Sequence, residues 1–413
     1  MNRFTRYAII AVSVLIIGWV GFGKVLGRSA NDNTYKSLIV YSEVLQKIQQ
    51  DYVDEPNMHL VTAGSLHGLL ESLDSESSYL TPREYTEYNQ KSSSTAIGET
   101  GLNLSKRFGY IIVTSVLPDT STEKAGLHSG DILESIAGFT TREMSVGQAK
   151  NLLAGQPGTG VKVGVIRRGK TDPEEVEVVR EKLSTPKLIA QRVDNDTLAL
   201  RFPTLDAGRA DEVRTRLLDA QKQGVSRVIL DLRECGRGPV SEAIAIARLF
   251  VPSGQLVALR GQTVPSQVFS ADATKVVWKG PVSILMDGTT TGAAEVLAAS
   301  LANTKRGDLV GDRTFGLASE QKLIPLDDGA ALFLTVANYY NADGKSILEE
   351  GVTPTEVVRA SAVSADDSDD GEDVTTTPGT PKDSTIGPRP LSSDDPVLRR
   401  ALELLKSPLK KAA

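Results

Sequence analysis

Apolar residues recur along this chain with changing periods, and each change of period marks a boundary. A basic start, MNRFTR, leads into an uncharged run, YAIIAVSVLIIGWVGFG (Tyr7–Gly23). Its roughly 17 residues reach about 26 Å as a helix, enough to cross a thin bilayer. Next, YKSLIVYSEVLQKIQQDYV and HLVTAGSLHGLLESLD place apolar side chains three and four residues apart, the helical period. The segment DSESS (Asp74–Ser78) then breaks that period. Over 95–183 the pattern shortens to strands: GYIIVTSVLP, then AGLHSGDILESIAG as a turn between short strands, and a hairpin of GVKVGVIRRG with EEVEVVREKL. One helix, SVGQAKNLLAG, interrupts them. Over 184–358 strands such as TLALRFPTL, RVILDLR and GPVSILM alternate with helices such as AGRADEVRTRLLDAQKQG, SEAIAIARLF and AAEVLAASLAN. That alternation predicts a layered α/β core. The stretch SAVSADDSDDGEDVTTTPGTPKDSTIGPRP is too polar to bury a core and predicts disorder. DPVLRRALELLK then returns as a short amphipathic helix, with Asp at its start and Lys near its end as the helix dipole prefers. It either docks on the folded part or contacts a partner.

These periods predict a multi-domain α+β chain: an N-terminal membrane segment (1–33), a helical region (34–94), a β-rich domain (95–183), an α/β core (184–358), a disordered acidic linker (359–396) and a terminal helix (397–413). Two readings of the first segment compete, a cleaved signal peptide and an uncleaved anchor. The anchor is preferred, because a good A-x-A site is missing and the best small-residue pair, Gly21/Gly23, is weak. Either reading puts the remainder outside the cytoplasm, and the preferred anchor binds it to the membrane through its N-terminus.

Composition narrows the chemistry. The 413 residues carry a net charge of −6 and no basic stripe interleaved with aromatics, which argues against nucleic acid as a partner. A single cysteine, Cys235, excludes an intrachain disulfide and a multi-cysteine metal site. The three histidines, His59, His67 and His128, all lie in the first third, so neither a histidine metal centre nor a Ser-His-Asp triad is expected in the α/β core. No cofactor or metal is implied.

Two places invite a functional reading. In the β-rich domain, GETGLNLS (Gly98–Ser105) precedes a strand, and a glycine loop of this kind turns backbone N–H groups toward a carboxylate. The helix at 145–153 presents Val146, Ala149 and Leu153 on one face, either as an apolar wall for a peptide or as the domain's own core. The run TSTEKAGLHSGDILESIAGFTTREMSVGQAKNLLAGQPGTGVKVGVIRRG resembles a PDZ domain. The resemblance implies capture of an unstructured peptide or free C-terminus, with Thr100, Gly101, Leu102, Asn103 and Leu104 as the carboxylate-facing loop.

In the α/β core, MDGTTTGAAEVL (Met286–Leu297) joins a strand to a helix through a tight turn, the setting in which a nucleophile is often presented. The helix mouth carries Gly292. The Gly-rich loop of DLRECGRG (Asp231–Gly238) is a candidate oxyanion loop. The order of these parts from about Tyr41 to Val358 resembles the C-terminal processing, or tail-specific, proteases, in which a helical region, a PDZ domain and a crotonase-like core carry a Ser-Lys dyad. LLESLDSESSYLTPREY resembles that family's LD-P-H-SSY stretch, with Glu76 where histidine is usual. VGDRTFGLASEQKLIPLDDG resembles its GE-x-TFGKG-x-VQ block, and GVTPTEVV its G-I-x-PD-x-x-V, with Thr355 for aspartate.

The resemblance assigns the nucleophile to Gly292, three residues before Glu295, and the base to Leu317, 25 residues further on. It assigns the supporting glutamine to Gln321 and the oxyanion glycines to Gly236 and Gly238, with Arg237 in place of the glycine between them. Neither a glycine nor a leucine can supply a nucleophile or accept a proton. The preferred reading is a pseudoprotease that binds peptide tails as scaffold or regulator, with a second copy or an active protease as further partner, in the bacterial envelope facing the periplasm. The alternative is an active serine-type endopeptidase with a displaced hydroxyl, Thr290 or Thr291. Cys235 is read as a buried structural thiol, Lys305 and Lys322 as solvated surface charges, and Ser319 as an ordinary hydroxyl.

Overall fold

A computed structural model describes residues 32–93, 97–142, 144–167, 170–358, 391 and 394–406. The membrane segment read at Tyr7–Gly23 and nearly all of the linker 359–396 lie outside these residues. Among the described residues no helix is long and apolar enough to cross a membrane.

The chain divides into two compact units, residues 1–66 and 67–413. The first holds α1 (Asp32–Asp51) and most of α2 (Met58–Glu71), which continues into the second unit. Leu38, Ile39, Val40 and Val44 of α1 are exposed. Within this unit the Tyr41 and Ser65 hydroxyls are hydrogen-bonded to each other.

The second unit begins with β1 (Ser78–Leu80) and α3 (Pro82–Ser93). Thr81 and Glu84 close the start of α3, with the Thr81 N–H donating to Glu84 Oε2 at 2.8 Å. The region 34–94 is therefore not helical throughout. β1 pairs antiparallel with a strand some 250 residues later, Ser78 opposite Phe333, and a partner so distant leaves no trace in local periodicity.

The β-rich module follows: β2 (Leu102–Arg107), β3 (Tyr110–Val116), α4 (Ser121–Lys124), β4 (Ile132–Ile136), β5 (Phe139–Thr140), α5 (Val146–Leu153), β6 (Gly160–Ile166) and β7 (Glu174–Val179). Its sheet runs β2-β3-β4-β6-β7, with β5 paired to β4 and β2 at one edge. A capping box between Ser145 and Gln148 starts α5. Alternate residues of β6, Val161, Val163 and Val165, enter the core beside Ile111, Val113 and Leu133.

The α/β core comprises β8 (Ile189–Arg192), β9 (Thr197–Arg201), α6 (Arg209–Lys222), β10 (Arg227–Asp231), α7 (Val240–Arg248), β11 (Gln255–Arg260), β12 (Gln267–Ser270), β13 (Val282–Met286), α8 (Ala293–Asn303), β14 (Asp308–Gly311), β15 (Ser319–Pro325), β16 (Ala331–Tyr340), β17 (Glu356–Val357) and α9 (Pro396–Lys406). One sheet runs β17-β14-β13-β10-β9-β8, parallel except for β8. Its inner strands β10 and β13 are buried on both faces, as a sheet covered twice requires. Val228, Leu230, Ile284 and Met286 face α6, α7 and α8. The intervening Ala199, Ile229, Leu285 and Val310 face Val397, Leu398, Ala401 and Leu405 of α9. Of the two readings of the terminal helix, docking is the one observed. Asp395 caps it through the Val397 N–H (3.0 Å), and Arg233 Nη1 lies 2.7 Å from the Asp395 carboxylate. A second sheet runs β1-β16-β11-β12, with β15 on β16. Because β1 precedes the β-rich module and β16 follows it, that module is an insertion between two strands of one sheet.

Candidate functional site

The site is built at the carboxyl ends of β10 and β13, where the loops of an open parallel sheet leave a crevice. β13 is buried throughout, so the turn after it must satisfy its own polar groups. Asp287 does so by accepting from the Thr289 N–H (2.9 Å) and its hydroxyl (2.5 Å), and burial pushes the Asp287 carboxyl above its ordinary range. The chain then reaches Gly292, with φ 57° and ψ −118°, directly before α8. L side chains rarely adopt this conformation, yet a Cβ placed there would meet no heavy atom within 4 Å. The backbone bends sharply between strand and helix in a conformation that glycine adopts freely, with room for a side chain and none present.

Glu295, one turn into α8, is fully buried and organises the crevice. Its Oε2 accepts from the N–H groups of Gly292 (2.9 Å) and Leu317 (2.7 Å), and its Oε1 from Gly316 N–H (2.6 Å) and the Thr314 hydroxyl. Burial pushes the carboxyl up to about 7, while these four donors pull it down. The loop carrying Leu317 is thereby fixed to the helix mouth. Leu317 itself is half-buried.

The loop after β10 closes the other side. Cys235 carbonyl accepts from Thr291 N–H (3.0 Å), and Arg237 carbonyl from Leu205 N–H (2.7 Å). A Cβ on Gly236 would stand 2.5 Å from Thr291 Oγ1, and one on Gly238, at φ 126°, would stand 2.3 Å from Leu205 backbone. Both glycines are therefore required by close approach. Arg237, between them, turns its side chain away from the crevice, toward Glu99 (3.4 Å) and Asp206 (3.8 Å).

The β-rich module meets this crevice directly. Asn103 Nδ2 donates to Ser115 Oγ at 2.6 Å, and both atoms lie within 4 Å of where a Gly236 Cβ would stand. Arg107 stacks on Phe315 at 4.4 Å from the ring centre and donates to the Phe315 carbonyl at 3.1 Å. A cavity of about 580 Å³ opens where the start of β2, α5, α3, Phe333 and Arg237 meet. Thr100, Gly101, Leu102, Asn103 and Leu153 line it.

The sequence assignments in this module need two corrections. Only Thr100 and Gly101 form the loop, because Leu102 to Leu104 already belong to β2 and Leu104 points into the module's core. Val146 and Ala149 are not a ligand wall. They are buried in that same core, and Leu153 packs there while also reaching the cavity. Helical spacing marks an apolar face without saying what covers it.

The peptidase family S41 profile matches residues 196–358, and the PDZ domain profile matches residues 94–166. A carboxy-terminal-processing protease of Bartonella bacilliformis is 28% identical over 331 residues, covering 79% of this chain and 76% of its own. The carboxy-terminal processing protease CtpA of Bacillus subtilis is 26% identical, covering 84% of this chain and 74% of its own. The photosystem II D1 C-terminal processing protease superposes with a TM-score of 0.64 at 23% identity, covering 78% of this chain and 92% of its own. Residues 196–358 thus match peptidase family S41 and residues 94–166 a PDZ domain, and over most of its length the chain is similar to C-terminal processing proteases.

The remaining assignments fall as follows. Gln321 is exposed on β15, and its Nε2 donates to the Glu76 carbonyl at 2.8 Å, so it binds the turn before β1 and not the helix mouth. Glu76 accepts from the Ser105 hydroxyl of the PDZ module at 3.1 Å. Thr290 is fully buried and donates its hydroxyl to the Leu232 carbonyl at 3.0 Å. Thr291 is buried against Gly236. Lys305 lies beyond the far end of α8, about 16 Å from its start, and Lys322 is exposed on β15. Ser319 Oγ reaches only the Leu317 carbonyl. Cys235 is fully buried, which pushes its thiol up to about 12. Among the described residues of the core, no hydroxyl or thiol is hydrogen-bonded to a lysine or histidine. Sequence reasoning missed the organising role of Glu295 and the reach of Arg107. The first was open to inference from a lone acid in the first turn of an apolar helix, and the second had no sequence signal.

Proposed function

We propose that this chain is an extracytoplasmic, membrane-tethered member of the C-terminal processing protease family that captures peptide tails in its PDZ module without cleaving them through a Ser-Lys pair. One observation carries the reading. The backbone bends sharply at Gly292 between strand and helix, and the loop of Leu317 is tied to the same carboxylate, but neither position has a side chain that reacts. Covalent catalysis needs an activated nucleophile and a base within reach of it, and losing both removes that route. The cavity beside β2 supports the capture half, since an edge strand with a glycine loop at its start can take on a peptide as an added strand. The uncharged run at Tyr7–Gly23 supports the tether and the envelope location. The exposed apolar residues of α1 support a protein partner, a second copy or an active protease.

The test incubates the purified full chain with fluorescent unfolded casein and labelled tail peptides, and adds a hydroxyl-directed phosphonate probe. Binding with no new fragments and no adduct is the expected result. Cleavage that disappears with Glu295→Gln, or an adduct on Thr290 or Thr291, overturns the reading. The tether is tested by deleting residues 1–33, which is expected to move the protein from the membrane to the soluble fraction.

A further inference from the structure

The cavity beside β2 has an uneven charge. Three cations line it, Lys91 of α3, Lys150 of α5 and Arg237 of the loop after β10, against a single carboxylate, Glu99. The Lys91 ammonium donates to the Asn151 carbonyl, which fixes it at the rim. Lys150 is exposed. The apolar part of the wall comes from Leu80, Ile97, Leu102, Leu153 and Phe333. Such a lining suits an extended ligand that has an apolar end and negative charge close to it.

Arg237 differs from the two lysines in origin. It belongs to the S41 core, not to the PDZ module whose cavity it enters. The glycines on either side are clamped against Thr291 and Leu205, so the loop cannot swing Arg237 elsewhere without breaking those contacts. Its one partner within the cavity is Glu99, at a slack 3.4 Å between half-exposed side chains. An exposed pair of this kind contributes little, about 1 kcal/mol or less, so an incoming carboxylate can take the place of Glu99. The planar guanidinium can grip that carboxylate with two N–H groups, which an ammonium cannot.

We propose that Arg237 is a specificity-determining residue, through which the core makes the PDZ cavity select protein C-termini with acidic side chains near an apolar last residue. The proposal rests on the peptide-capture reading above. Glu99 is then a built-in competitor that holds Arg237 in place until an acidic tail arrives.

The experiment measures anisotropy of two labelled ten-residue peptides on the full chain, identical except that one ends Glu-Glu-Val and the other Gln-Gln-Val. The acidic peptide is expected to bind about five- to tenfold more tightly at low salt, with the ratio falling as salt screens the charge. Arg237→Gln is expected to reduce the ratio to about twofold or less while leaving the Gln-Gln-Val affinity in place, and Arg237→Lys to keep part of it. Glu99→Gln is expected to tighten the acidic peptide alone. A ratio that survives Arg237→Gln, or one abolished only by Lys91→Gln or Lys150→Gln, overturns the proposal. Equal binding of both peptides to the unaltered chain also overturns it and leaves peptide capture standing. Binding of neither peptide removes peptide capture and this inference together.

Discussion

The backbone N–H groups of Gly292 and Leu317 meet at one atom, Oε2 of Glu295, at 2.9 and 2.7 Å. Their nitrogens are therefore less than about 6 Å apart. Two positions 25 residues apart in the chain are held as a pair, although neither side chain touches chemistry. The crevice is maintained by its scaffold, which holds both positions beside one carboxylate.

That geometry predicts a partial rebuild. Gly292→Ser alone is expected to fold, since its Cβ meets nothing within 4 Å, but to lose about 1–3 kcal/mol to the φ of 57°. It is expected to show no peptidase activity by fluorogenic peptide assay. Gly292→Ser combined with Leu317→Lys is expected to give weak hydrolysis above the single variant.

Glu295 predicts a dependence on pH. Its folded pKa of about 7 lies above the ordinary 4.5, so the folded state holds the proton more tightly than the unfolded chain does. The stability this contributes is complete below about pH 4.5 and is lost as pH rises through 7. Glu295→Gln cannot titrate and leaves two of four donors facing an amide NH2, at a cost of about 2–4 kcal/mol. Thermal denaturation from pH 4.5 to 8 is expected to show the gap between the natural chain and the variant narrowing as pH rises.

Arg107 predicts a local loosening. Arg107→Ala removes a stacking contact and a hydrogen bond to the Phe315 loop, together about 1–2 kcal/mol. Hydrogen exchange is expected to speed up at Phe315–Leu317 and at Asn103–Arg107, with the inner core strands β10 and β13 unchanged.

The docked terminal helix predicts a global effect. Leu398 is buried between α9 and the sheet, and Leu398→Ala is expected to cost about 2–5 kcal/mol by urea unfolding. The native Cys235 thiol is expected to ignore a disulfide reagent until the core unfolds.

Much of this was legible because it is local. The strands GPVSILM and RVILDLR, the helix AAEVLAASLAN and the β6–β7 hairpin all follow from period and turn residues, and the open question at the helix mouth was visible as a glycine. What escaped depends on long-range approach. No pattern near Ser78 announces Phe333. The spacing of Val146, Ala149 and Leu153 fits a ligand wall and a core equally well, and only the packing of β2 and β4 decides. Gln321 matches a motif letter, yet its side chain is spent on Glu76, because the strand's pleat turns it outward.

The pairing of β1 with β16 bears on how the protein is made. On a ribosome the Ser78 segment emerges early, while the strand that will receive it follows about 250 residues later, some 12 to 50 seconds at ordinary translation speed. The inserted module has its own buried core and can settle within that interval. For that time β1 is an orphan edge, and its three-residue length limits what a stray neighbouring chain can grip.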